Sequence, residues 1–418
     1  MAVLRRGSHS GVLRGVPRPV LAAGAAVGAL LLGAPPAYPD DVRSGQRQVI
    51  ETLELQQAWR VTKGAGATVA VLDSGVDPGH RDLTGSVRTG KDFTAGANPP
   101  DVPPRRLHGT YMASLIAGHG HGPAGKQGII GVAPEADVLS VRVILEDEEP
   151  GFLKFNTAER FEDVVARGIR YAVDEGVDVI NLSISKELAT AKERAAVRYA
   201  ISKGVVLVAA AGNEGDRTLG RDYAPYSYPA AFPGVVAVGA TDRRLRRAGF
   251  PNWNPSVQVA APGVDIMGAG PGDEYWVGRG TSQATALVSG VVALIKARHP
   301  RMSPPLVAQA LTAGALDRPP GGYDTSTGFG VVSAARALAA ADRLAGHTAV
   351  ATGAAVQDPG RPLAGGRAGP VKVVVRDDRR VAVSAAIATA AGAGALASLG
   401  VIFTLVRRVR RAHSPQDA

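Results

Sequence analysis

The chain has no cysteine among its 418 residues. No disulfide can staple it and no thiolate can hold a metal, so its core alone must hold the fold together. It also lacks any repeat of solenoid period, which excludes a stacked-repeat architecture. Acidic residues are missing from 1–37, a stretch that holds Arg5, Arg6, Arg14 and Arg18, and charge of either sign is missing from 381–406. Of the formal net charge of +10, residues 1–37 and 376–418 carry +8, leaving +2 for everything between. The basic surplus therefore belongs to the ends, which argues against nucleic acid as a partner.

What stands at the ends gives a topology. The basic stretch, the apolar run VLAAGAAVGALLLGA and the small residues through Ala37 describe a secretory signal over 1–37. The uncharged run 381–406 exceeds the roughly 20 residues that cross a bilayer, and it lies between RDDRR and RRVRRAH. These features predict one C-terminal transmembrane helix, with the basic tail 407–418 in the cytoplasm and the preceding chain outside. Gly, Ala and Pro crowd residues 347–380 and predict a stalk. A short N-terminal extension, 38–66, then leads into a globular domain over 67–346.

Within that domain short apolar runs alternate with helical stretches. TVAVLDSG, DVLSVRVI, VDVINLSIS, GVVLVAAAGN and VVAVGATD have the length and composition of buried strands, and 109–119, 158–175 and 188–203 have helical character. The alternation predicts an α/β fold: a parallel β-sheet flanked by helices on both faces. Functional groups in such sheets collect beyond the carboxyl ends of the strands. Asp73 ends one run, His108 opens a helix, Asn213 ends another run, and Ser282 stands at the mouth of a helix, where a serine hydroxyl serves as an N-cap. Taken singly, each is what a turn or cap would show. The acidic run 146–149 and the basic run 243–247 read as solvated loops.

Together, Asp73, His108 and Ser282 stand in an order known for one arrangement of the catalytic triad on a parallel sheet. The segments VAVLDSGVD, HGTYMASLIAG, GIIGVAPEADVLSVRV, VVLVAAAGNEG, YPAAFPGVVAVGA and GTSQATALVSG make the sequence similar to the subtilisin-like serine proteases, or subtilases, over about 45–340. The resemblance implies that Asp73 orients His108, that His108 is the general base, that Ser282 is the nucleophile and that Asn213 donates to the oxyanion. It also implies that an extended peptide lies beside Ser183, Ile184 and Ser185, and that Ala209, Ala210, Ala211 and Gly212 wall a side-chain pocket. Where the family commonly has Gly, His, Met and Pro, this chain has Ser185, Tyr111, Gln283 and Ala286; Ser185 and Gln283 are expected near the pocket.

The layout of signal, catalytic domain, stalk, single span and basic tail resembles the mycosins, membrane-anchored subtilases associated with type VII secretion. That resemblance implies an endopeptidase of exported proteins with secretion-complex subunits as partners, or, as the other reading, a scaffolding subunit whose proteolysis is limited or dispensable. It implies no cofactor for catalysis. Structural Ca²⁺ is left open, with no ligand set assigned in this chain.

Overall fold

The computed structural model describes residues 39–216 and 222–346. The chain divides into two units, Met1–Ala349 and Val350–Ala418, and the second lies wholly outside the described residues. The signal, the stalk, the span and the tail expected from the sequence lie outside them too. Among the described residues no helix is long and apolar enough to cross a membrane.

The chain enters through three short helices, α1 (Pro39–Gly45), α2 (Arg47–Thr52) and α3 (Leu55–Ala58), then β1 (Thr68–Asp73), β2 (Val87–Asp92) and α4 (Leu107–Ala117). A small hairpin of β3 (His119–His121) and β4 (Gln127–Ile130) precedes β5 (Asp137–Arg142), α5 (Phe152–Thr157) and α6 (Val164–Asp174). There follow β6 (Val179–Leu182), α7 (Ala191–Ser202), β7 (Val206–Ala210), β8 (Val236–Thr241) and β9 (Val259–Pro262). A second hairpin, β10 (Ile266–Gly270) and β11 (Glu274–Gly278), leads into α8 (Thr281–Arg298), α9 (Pro304–Ala313) and α10 (Ala334–Leu344).

Seven strands form one sheet in the order β2-β5-β1-β6-β7-β8-β9, and every pair in it is parallel. Side chains alternate across a strand, and here both sets are apolar. Val69 and Val71 of β1 face the core built on α4 and α8, while Ala70 and Leu72 face the core built on α6 and α7. A strand buried on both faces needs a near-continuous apolar run, which is why these strands were readable in the sequence. The α/β architecture expected above is the one observed. From β1 the chain fills one side of the sheet through β2 and β5, then crosses to β6 on the other side. That reversal makes a switch point, and a crevice at the carboxyl edge beside β1 and β6.

α8 runs through the middle of the larger core. Its residues from Ala284 to Lys296 are all buried, small or apolar for the most part, as a helix covered on all sides requires. It packs against β6, β7, β8, β9 and α4, so its first turn is held rigidly at the carboxyl edge of the sheet.

Candidate active site

Each expected residue arrives at that edge on a different element. Asp73 is the last residue of β1 and wholly buried. His108 is the second residue of α4 and nearly as buried. Its Nδ1 lies 2.8 Å from Asp73 Oδ1, and the same oxygen accepts the Ser74 N–H at 2.7 Å. An imidazole whose Nδ1–H is given to a carboxylate presents Nε2 as the lone-pair atom; here Nε2 is buried and has no hydrogen-bond partner. Burial alone pushes the imidazole below its ordinary pKa. The Asp73 charge and hydrogen bond, with Glu146 behind them, outweigh it, and the net shift is upward.

Ser282 enters from the other side. It is the second helical residue of α8, and the cap position belongs to Gly280, which makes no side-chain capping bond. The expectation of a serine cap is corrected. The end is satisfied from another loop, because Asn213 Oδ1 accepts both the Thr281 N–H and the Thr281 hydroxyl at 3.0 Å. Those bonds fix the orientation of the Asn213 amide and leave its Nδ2 donor for the crevice. A buried polar chain ties this turn to the sheet: Ser289 Oγ donates to Asn181 Oδ1 (2.9 Å), Asn181 Nδ2 to Ser183 Oγ (3.1 Å), and Ser183 Oγ to Ser282 O (3.0 Å). Ser282 Oγ donates back to Ser183 O at 3.2 Å.

Ser183, Ile184 and Ser185 lie between the end of β6 and a bridge joining Lys186 to Tyr228, outside any ladder of the sheet. Ser185 Oγ accepts from the Ser227 hydroxyl at 2.7 Å, and Ser227 also reaches Ala210 O at 3.3 Å. Gly212, at φ +101°, faces the same place: a Cβ on it would come 3.0 Å from Ser185 Oγ and 2.8 Å from Glu214 Oε2. Two walls of the expected pocket thus stand nearly in contact. Ala209, expected in that wall, packs instead into the core over α6 and α7, because its place in β7 turns its side chain to that face. Ala211 is buried and held to the sheet by its N–H on Val238 O.

Gln283 is buried at the turn into α8, where a Cβ on Gly278 would meet its Nε2 at 2.9 Å and one on Gly280 its Oε1 at 2.7 Å. Tyr111 lies beside it, wholly buried, with its hydroxyl donating to Ile266 O. Burial pushes that phenol well above its ordinary range.

The acidic run 146–149 is the larger correction, since Glu146 and Glu149 are 6% and 3% exposed. Glu149 accepts from Arg142 Nη2 at 2.9 and 2.6 Å. Glu146 Oε1 accepts from the Ser74 hydroxyl at 2.7 Å and from the His108 N–H at 2.9 Å. The fold explains the burial: β5 ends beside β1, Asp73 pairing with Arg142, so residues soon after β5 emerge near Asp73. The basic run 243–247 does lie in solvent, with Arg243 and Arg246 exposed and paired to Asp265 and Asp242.

Among the described residues no group of three or more His, Cys, Asp or Glu side chains is arranged to hold a metal. The buried Asp82 carboxylate is taken by His121 Nδ1 (2.6 Å), the Ile129 N–H (2.7 Å) and the Tyr275 hydroxyl (2.9 Å). The nearby carbonyls of Gly125, Gln127 and Gly128 face the Arg43 guanidinium at 3.0 to 3.2 Å. A protein cation, not an open cage for Ca²⁺, meets those oxygens.

Known proteins are similar to this chain in sequence and fold. The subtilase family model matches residues 64–330. Thermitase of Thermoactinomyces vulgaris is 36% identical over 258 residues, covering 62% of this chain and 85% of that protein. A solved structure of MycP1, described as a serine protease and an essential component of the type VII (ESX-1) secretion system, is 31% identical with a TM-score of 0.61. It covers 74% of this chain and 92% of that one. MycP1 from Mycobacterium smegmatis is 28% identical with a TM-score of 0.59, over 76% of this chain and 88% of that one. On these likenesses, and with this fold, the chain belongs to the subtilase family and is a subtilisin-like serine endopeptidase.

Proposed function

We propose that this endopeptidase cleaves exported polypeptides at the outer side of a membrane through an acyl-enzyme formed on Ser282. The observation that carries the assignment is the His108 ring, with Nδ1 on a buried carboxylate and Nε2 unpaired. For attack, the Ser282 hydroxyl leaves Ser183 O and turns to His108. Its proton goes to Nε2 as Oγ bonds to the substrate carbonyl carbon. Asp73 then stabilises the imidazolium. The negative oxygen of the tetrahedral intermediate meets Asn213 Nδ2 and the Ser282 backbone N–H, at the positive end of α8. Collapse breaks the C–N bond, with the Nε2 proton going to the leaving amine. Water then repeats the sequence and frees the serine. No metal or cofactor takes part in these steps.

An extended substrate would add a strand along Ser183, Ile184 and Ser185, the backbone that the sheet leaves unpaired. The signal over 1–37 and the span 381–406 put the domain outside and hold it at the membrane. Likeness to MycP1 over most of its length supports association with a type VII secretion complex. The description of MycP1 as a component of that system also favours a second reading, in which this chain serves the complex as a structural subunit.

Two experiments separate the readings. A fluorophosphonate should label the wild-type protein and fail to label Ser282→Ala; no labelling of the wild type between mildly acidic and alkaline pH would sink the enzymatic assignment. If the structural role dominates, Ser282→Ala should still co-purify with membrane partners and restore secretion to cells lacking this chain.

A further inference from the structure

We propose that Glu146 is a positioning residue for His108, a second carboxylate that locks the first turn of α4 to the end of β1 and lends its charge to the imidazole. The inference rests on the assignment of His108 as general base. Its ground is a closed ring of short bonds: Ser74 N–H to Asp73 Oδ1, Ser74 Oγ to Glu146 Oε1, His108 N–H to the same Glu146 oxygen, and His108 Nδ1 to Asp73 Oδ1. Ser74 Oγ also accepts the Gly109 N–H at 3.1 Å. Two otherwise unpaired N–H groups of the first turn of α4 are thereby satisfied from one side-chain pair. Such an arrangement fixes where the His108 ring can sit relative to Asp73. Arg106, which precedes α4, is held in a left-handed conformation (φ 57°), so the entry to this helix departs from easy geometry and gains from being tied down.

Charge points the same way. The groups around His108 are Asp73 from β1, Glu146 from the loop after β5, Arg105 and Arg106 from the approach to α4, and Arg142 from β5. Arg142 is occupied by Glu149, Asp92 and Ser74 O. Arg105 is 3.7 Å from Glu146 Oε2 but also pairs with Glu148 at 2.8 Å, and is partly in solvent. Glu146 thus remains the buried negative charge behind the imidazole. Burial, the largest influence, and the neighbouring Asp73 charge leave its carboxyl above the ordinary range, although the bonds from Ser74 and the His108 N–H and the His108 charge pull the other way.

The test separates charge from shape. Full-length Ser282→Ala protein carrying ¹³C-labelled histidine reports the titration of His108, whose signal is identified by its loss in His108→Gln. Glu146→Gln keeps an acceptor for both donors and removes the charge, so the His108 midpoint should fall by about half a pH unit or more. With Ser282 intact, the acid limb of kcat/KM should fall with it while KM stays put. An unmoved midpoint in folded Glu146→Gln overturns the proposal. Should that variant fail to fold, Ser74→Ala leaves the carboxylate and deletes one of its two bonds. It should lower kcat by ~10-fold at constant KM, and an unchanged kcat overturns the positioning role. If fluorophosphonate does not label the wild type, the enzymatic assignment falls, and a His108 titration that depends on Glu146 then upholds the coupling of the two side chains without a general-base role.

Discussion

His108 is subject to two opposed influences, and which wins sets a measurable pH. Desolvation favours the neutral ring, Asp73 favours the charged one, and the second prevails. Only neutral imidazole can accept the Ser282 proton, and its fraction grows as pH rises through the pKa. An upward shift therefore moves the acid limb to higher pH. On a peptide without titratable side chains, kcat/KM should reach half its plateau above the ordinary imidazole value of about 6.5; a midpoint below it would contradict the balance drawn here. Ser185 makes the second residue-scale prediction. Its hydroxyl, bonded to Ser227, stands opposite Gly212 and leaves little room between them. Ser185→Gly should raise kcat/KM for a peptide with leucine before the cleaved bond by about 10-fold relative to one with alanine. Equal gains for both peptides would place the limit elsewhere. At this scale the placement of Asp73, His108, Asn213 and Ser282 at the edge of the sheet was readable, because each lies in a short motif at an element's end. Glu146 was not, because a run of acids looks the same whether water or a buried hydroxyl and N–H receive it.

At the scale of elements, readability followed burial. β1, β5, β6, β7 and β8 are covered on both faces and read as apolar runs. β2 is an edge strand, VRTGKD, with four of its six residues exposed, and its charges blunt the open edge instead of advertising a strand. The N-terminal helices were equally hard to read, since what holds them is specific and not periodic. Arg43 binds three carbonyls around the β3–β4 hairpin, Gln46 pairs with Ile130 through both its amide atoms at 2.9 Å, and the Trp59 indole donates to Val132 O at 2.8 Å. Leu53 and Leu55 enter the main core, and Glu54 receives Ser333 and Arg336 at the start of α10. Residues from Pro39 onward are thus part of the folded body. Arg43→Ala should lower the stability of the domain by about 2 kcal/mol, read from urea unfolding, and speed amide exchange selectively in 119–130. Loss of stability without the local exchange would mean that Arg43 acts through α1 and not through the hairpin.

For the whole molecule, the question is where the self-sufficient unit ends. α10 packs on α8, α9 and α3, and its buried face, Ala337, Leu338, Ala340 and Ala341, completes the core in which α8 is centred. No disulfide is available to hold the ends, so the domain must keep α10 to bury that core. A cut inside α10 would expose apolar surface that nothing else covers. A cut after about Gly369 keeps every described element and removes the uncharged run 381–406. Residues 38–369 should therefore come out soluble and cooperative in unfolding, and they should react with fluorophosphonate at the rate of the detergent-extracted full chain. Ending the chain at Ser333 should yield aggregates. If the longer protein also aggregates, or is soluble but unlabelled, then residues beyond Gly369 contribute to the fold or to the site, and the division into a catalytic body on a stalk is wrong.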